Sequence, residues 1–170
     1  MEWMPMPPVL PYDRQKAVEY AVTWALKRNP RYLDFSNMGG DCTNFVSQCI
    51  FSGDAVMNYT PVLGWYYVSV SNRSPSWTGV EFLYSFITKN KGPGPFAEEV
   101  SVRDIKPGDF IQLKFGGESF RHTLFVVKTG PVPDLSNILV STHTIDSDSR
   151  PLNSYDWSDI RYVHILGVRR

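Results

Sequence analysis

The strongest constraint in this sequence is a change of hydrophobic period near residue 90. Before it, apolar residues recur at helical spacing. Ala17, Val18, Ala21, Val22, Ala25 and Leu26 mark a helix over 13–28, capped by Asp13 and ended by Pro30. A second helix over 42–52 buries Phe45, Val46, Cys49 and Ile50, with Asp41 as N-cap and Gly53 as stop. A third starts at Thr78, which forms a capping box with Glu81, and turns Val80, Leu83, Phe86 and Ile87 inward. Beyond Gly94 the alternation is period two, and 109–115, 120–128, 137–144 and 160–168 read as strands joined by Gly-Gly and Pro-rich turns. Helices first and hairpin-connected strands afterwards specify an α+β fold. Its N-terminal helices pack on one face of an antiparallel sheet of about four to five strands. The stretch 54–76, with Tyr59, Trp65, Tyr66 and Tyr67, has no regular period, and its aromatics read as core rather than groove.

At 170 residues the chain has the size of one domain, placed over 12–170 after an N-terminal extension over 1–11. Lys plus Arg and Asp plus Glu both total 17, so there is no basic field for nucleic acid. No apolar run reaches the roughly 20 residues of a membrane span. The proline-rich start MEWMPMPPVLPY lacks the basic and apolar regions of an export signal, so a cytoplasmic location is expected unless the chain is a piece of a secreted protein. A monomer without cofactor is expected. Cys42 and Cys49 on one helix stand about 10 Å apart, too far for a disulfide, and are expected to be free thiols.

Cys42 is the residue that carries chemistry. A thiolate is favoured at a helix N-terminus, where N–H groups and the positive dipole end face it. Gly39-Gly40 before it permits a sharp turn and leaves room for a substrate carbonyl at the Cys42 N–H, an oxyanion donor. Asp41 opposes the thiolate by charge and is assigned to capping. Cys49, two turns along, packs. A cysteine nucleophile needs a base. His122 opens the run HTLFVV and shares a face with Leu124 and Val126, taken to be the helix-facing side. A hairpin that pairs Lys128 with Asn137 sets His143 directly opposite His122, where an orienting group belongs. A Cys-His-His set is also zinc chemistry, but the short-spaced H-x-x-x-H and C-x-x-C ligand pairs are absent and no metal is assigned. His164, between apolar neighbours, reads as structural.

NPRYLDFSNMGGDCTNFVSQCIFSG, SPSWTGVEF, KPGDFIQ, RHTLFVV and STHTIDSDSRPL together resemble an amidase domain family, a branch of the papain-like cysteine hydrolases related to the NlpC/P60 peptidases and the CHAP amidases. The resemblance runs from Tyr12 to the end of the chain. It implies a papain-like, NlpC/P60-like fold with Cys42 as nucleophile, His122 as general base and His143 as the matching third residue. A one-residue bulge would bring Thr142 or Thr144 to that place. It also implies a tyrosine ahead of the glycines that assists the oxyanion, which maps onto Tyr32. Asp41, Gly40 and Tyr32 are thus the positioning residues, and peptides of the bacterial cell wall, peptidoglycan, are the substrate class. Two other activities fit the same residues: a non-catalytic peptide- or glycan-binding module and an acyltransferase.

Overall fold

Asp13 accepts a 3.0 Å hydrogen bond from the Lys16 N–H and so opens the first helix in the computed structural model, which describes residues 3–5 and 7–170. Positions 1, 2 and 6 of the expected N-terminal extension lie outside the described residues. The helix, α1 (Arg14–Trp24), is shorter than its periodicity suggests. The chain leaves it before Arg28, whose guanidinium pairs with Asp146 at 2.7 Å. α2 (Cys42–Asp54) follows and is buried almost all round. A small hairpin of β2 (Tyr67–Ser69) and β3 (Asn72–Arg73) leads to α3 (Pro75–Thr78) and α4 (Val80–Lys89).

The expected single third helix is therefore two. Pro75 starts the short one at N1, and extended Gly79 separates it from α4. Thr78 is the last residue of α3 rather than a cap, and the Glu81 carboxylate accepts instead from the Phe120 N–H at 2.6 Å.

The main sheet has seven strands, more than the four to five expected. They are β1 (Val9–Leu10), β4 (Gly94–Val100), β5 (Phe110–Lys114), β6 (His122–Lys128), β7 (Leu139–Thr142), β8 (Ser147–Pro151) and β9 (Asp159–Arg169). Their order is β1-β9-β5-β6-β7-β8 with β4 also on β9, and every pairing is antiparallel. The three strands absent from the sequence pattern are two residues long (β1), polar (β8, SDSRP), or opened by Gly-Pro and closed by an acidic pair (β4, GPFAEEV). None shows alternation of apolar residues.

Both faces of the sheet are buried. On the helix side Phe110 and Phe125 pack with Phe45, Val46, Ile50, Trp65, Trp77, Leu83 and Ile87. On the other, Ile111, Leu113, Leu124, Val126 and Val140 pack under Ile105 and Leu152. Most of the aromatic stretch is core as expected, with Trp65 and Trp77 fully buried. Among the described residues no helix is long and apolar enough to cross a membrane.

α1 crosses α2 at Gly53, where an added Cβ would stand 2.6 Å from the Asp13 carbonyl oxygen and 2.7 Å from the Tyr12 ring. Helix propensity alone makes Gly→Ala favourable by roughly 1 kcal/mol. The clash with fixed backbone reverses the sign, so Gly53→Ala is expected to destabilise the chain by about 2 kcal/mol in urea unfolding.

Candidate active site

Cys42 is the first residue of α2, as the sequence indicates. The turn into it is built by Gly39 and Gly40 at φ +97° and +109°, a region closed to most side chains. A Cβ on Gly40 would also approach the Thr144 hydroxyl to 3.2 Å, and that hydroxyl accepts from the Asp41 N–H at 2.8 Å. The Cys42 N–H is a first-turn donor with no intrahelical partner, facing the same side as the helix dipole. Cys42 as a residue is only 6% exposed. Burial raises the thiol above its ordinary range, and the Asp41 carboxylate adds to this. The Thr123 N–H and the hydroxyl and N–H of Thr43 act in the opposite direction, since each donates to a thiolate. Cys49, fully buried on the apolar face, is a second free thiol with a packing role.

Asp41 does not cap α2, contrary to the expectation; its carboxylate makes no cap hydrogen bond. It is turned inward, 0% exposed, and holds four groups together. Oδ1 accepts from the Phe35 N–H at 2.8 Å and from Asn44 Nδ2 at 2.8 Å. Oδ2 lies 2.5 Å from His143 Nδ1 and 3.4 Å from Arg28 Nε. The Arg28 contact is one of charge, not of hydrogen-bond alignment. Arg28 also takes Asp146 in a two-pronged pair at 2.7 and 2.9 Å. Asn44, from the TNFVSQ run, is scaffold in a specific sense: it links Asp41 to the Trp77 indole N–H, 3.0 Å from its Oδ1.

His122 and His143 are not cross-strand partners. Phe125 stands opposite Ser141 and Val126 opposite Val140, one residue away from the expected register, with a bulge between Val126 and Lys128. A slip of one exchanges the faces. His143 therefore lies on the helix side, stacked on Phe45 at 4.1 Å between ring centroids, with Nε2 2.8 Å from the Trp24 carbonyl. The face assigned to His122 is also corrected. Leu124 and Val126 point away from the helices, and the His122 ring lies 6.0 Å from that of Tyr155 on that side. Thr123, Phe125 and Val127 are the residues of β6 that face the helices. Burial and the nearby Arg150 push the His122 imidazole down to about 4, so it is neutral at neutral pH.

Neither imidazole hydrogen-bonds the Cys42 sulfur, whose side-chain partner is the Thr43 hydroxyl at 3.8 Å. The Cys-His-His set is not brought together as zinc ligands, and no group of three or more His, Cys, Asp or Glu among the described residues is placed to hold a metal. Tyr32 packs edge-on against Tyr67 at 5.0 Å and stacks on Trp77 at 6.0 Å, making no hydrogen bond to the Gly40 turn. His164 is tied by Nδ1 to the buried Asp109 at 2.7 Å, which also holds Arg14. The apolar cleft of about 440 Å³ beside α4, lined by Leu63, Phe82 and Phe86, contains none of these residues. Three site residues were missed by sequence reasoning: Thr43, Thr123 and Arg28; Thr144 appears there only as an alternative third residue. Their neighbours flagged the right segments, but hydroxyls and a lone arginine have no spacing signature. Only the register identifies them.

Residues 11–166 match the model of the family described as "Putative amidase domain". The uncharacterized protein YhbB of Bacillus subtilis (strain 168) is 37% identical over 142 residues, covering 82% of this chain and 43% of the relative. The chain thus spans less than half the length of that relative. No solved structure matches.

A histidine that titrates near 6.5 when unfolded and about 4 when folded leaves the unfolded chain holding more protons between those values. Its contribution is therefore a penalty that is absent above pH 6.5 and grows as pH falls toward 4. Urea unfolding at pH 7 and pH 4.5 is expected to show the parent losing more stability than His122→Gln. The difference should be roughly 2 kcal/mol, allowing for the partial exposure of the ring.

Proposed function

This chain belongs to the amidase domain family, and from that premise we propose that it hydrolyses amide bonds through a Cys42 thiolate. The family suggests a hydrolase acting on C–N bonds; the cysteine mechanism is our inference. It is carried by the position of Cys42 as the first residue of α2, where free first-turn N–H groups and the Thr43 hydroxyl, 3.8 Å from the sulfur, favour a thiolate. His122 is the neighbour in sequence of Thr123, whose hydroxyl lies 2.9 Å from that of Thr43, so its backbone stands near the thiol. In the structure the His122 ring lies on the opposite face of β6 beside Tyr155, so its role as base requires the start of β6 to turn and bring the neutral imidazole to the sulfur. In this scheme His122 takes the thiol proton, and the thiolate attacks the amide carbonyl while the Cys42 N–H receives the oxyanion. The C–N bond then breaks, the imidazolium protonates the leaving amine, and water activated by His122 hydrolyses the thioester. His143 acts through Asp41, fixing the helix start instead of orienting His122. The resemblance of the sequence motifs to papain-like cell-wall hydrolases is the support for bacterial cell-wall peptides as the substrate class.

The test is incubation of the purified chain with soluble peptidoglycan fragments, with release of free amines followed by mass spectrometry. Cys42→Ala is expected to lower the rate at least about a thousandfold. Full activity in that variant would sink the mechanism. A second reading, a binding module on the same fold, is favoured by one observation: neither imidazole is bonded to a thiol that burial holds protonated. It predicts that parent and Cys42→Ala bind these fragments equally, with no amine released by either.

A further inference from the structure

A file of buried polar side chains connects an arginine at the edge of the sheet to the candidate nucleophile. Arg161 on β9 donates from Nε and Nη2 to the Gln112 side-chain oxygen at 2.9 and 2.6 Å. Its guanidinium is clamped between the rings of Tyr84 and Phe120, at 3.6 and 3.9 Å from their centroids. The Gln112 amide nitrogen donates to the Val80 carbonyl at 2.9 Å and to the Thr123 hydroxyl oxygen at 3.3 Å. The Thr123 hydroxyl is 2.9 Å from that of Thr43, and Thr43 Oγ1 is 3.8 Å from the Cys42 sulfur. Gln112, Thr123 and Thr43 are all fully buried.

The direction of this file is fixed from its charged end. A guanidinium only donates, so the Gln112 oxygen must face it, and the amide nitrogen must then face Val80 and Thr123. Thr123 accepts from that nitrogen, which leaves its own hydrogen for Thr43. Thr43 in turn has its hydrogen for the sulfur. With the thiol protonated, the three hydrogens of Cys42, Thr43 and Thr123 have only two contacts between these groups to fill, whichever way the hydroxyls turn. One is always left over in a buried place, where unmatched polar hydrogens are disfavoured. Removing the thiol proton removes the surplus.

We infer that Arg161, Gln112, Thr123 and Thr43 form a one-way hydrogen-bond relay that stabilises the Cys42 thiolate, with Gln112 as the positioning residue that sets its direction. The inference rests on Cys42 being the nucleophile of the proposed reaction. It also answers a difficulty in that site: Asp41 places a negative charge beside the thiol, while the relay delivers donors from a permanently charged cation on the far side of β5 and β6. The Thr43 hydroxyl is one of the groups that lower the thiol.

The test reads thiol chemistry instead of amide cleavage, so the two proposals can fail separately. Alkylation of Cys42 by iodoacetamide is followed across pH on the folded chain, with peptide mass spectrometry separating it from Cys49. Thr43→Val is expected to move the midpoint up by about one pH unit and slow labelling at pH 7 roughly tenfold, while Thr43→Ser stays with the parent. Gln112→Glu keeps the shape and the Arg161 pair but puts an acceptor where the amide nitrogen was, turning the Thr123 hydroxyl away from Thr43. It should shift the midpoint in the same direction as Thr43→Val. Profiles of Thr43→Val and Thr43→Ser that coincide with the parent overturn the relay, as does an unshifted Gln112→Glu. If Gln112→Glu fails to fold, the Thr43 pair decides alone. A shifted profile in a chain that cleaves no amide leaves the relay standing and removes the hydrolase.

Discussion

The carboxylate of Asp41 is the contact on which this end of the molecule depends. A fully buried charge is tolerated only where it is paired and hydrogen-bonded, and removal of one partner from such a set typically costs 3–5 kcal/mol. Asp41 meets that condition with the Phe35 N–H, Asn44, His143 and the nearby Arg28. Phe35 and Arg28 come from the α1–α2 link, Asn44 from the first turn of α2 and His143 from the residue after β7. Cys42 is covalently the next residue, so every one of them bears on where the sulfur stands. The tight glycine turn completes the arrangement from the other side, because only a residue without Cβ lets Thr144 close over the Asp41 N–H.

A buried thiol beside a buried carboxylate is electrostatically the wrong setting for a thiolate. Hydrogen-bond donors oppose this in part: the Thr43 hydroxyl and N–H and the Thr123 N–H act on the thiol, and behind them a polar file crosses the sheet to Arg161. The sheet can carry that file because Gln112 and Thr123 sit opposite each other on β5 and β6 and face the helix layer together. The strand residues between them and the second cluster, Ile111 and Leu124, point the other way. One face of the same two strands is thus polar where it meets Cys42, and the other is apolar except for His122 at the start of β6.

Much of this was legible in the sequence. Helix positions are set by the recurrence of Ala17, Ala21 and Ala25, and of Phe45, Cys49 and Ile50, because an apolar stripe has only one buried side. Cys42 at a helix start follows from Gly39-Gly40 and the pattern after it. The third helix divides because Pro75 and Gly79 act as local breaks that periodicity averages over. β8 and β4 escaped because their pairing is carried by backbone hydrogen bonds, to which polar SDSRP contributes as well as any apolar run. The histidine pairing failed for a sharper reason. A centred turn fixes register only without bulges, and the single bulge beside Val126 sends His143 to Asp41 and leaves His122 by Tyr155. With alternation the same on either side, nothing in HTLFVV distinguishes which face meets the helices once both are buried.

The bonds that set Cys42 in place join residues far apart along the chain: Asp41 to His143 across 102 positions, and Arg28 to Asp146 across 118. Closing such long loops is slow compared with forming α2 or the β5–β6 hairpin. During synthesis the helix carrying the thiol emerges early, yet the last of its anchors leaves the ribosome only when the segment around 146 has been made. Cys42 is therefore synthesised before His143, Thr144 and Asp146, the residues that complete its surroundings.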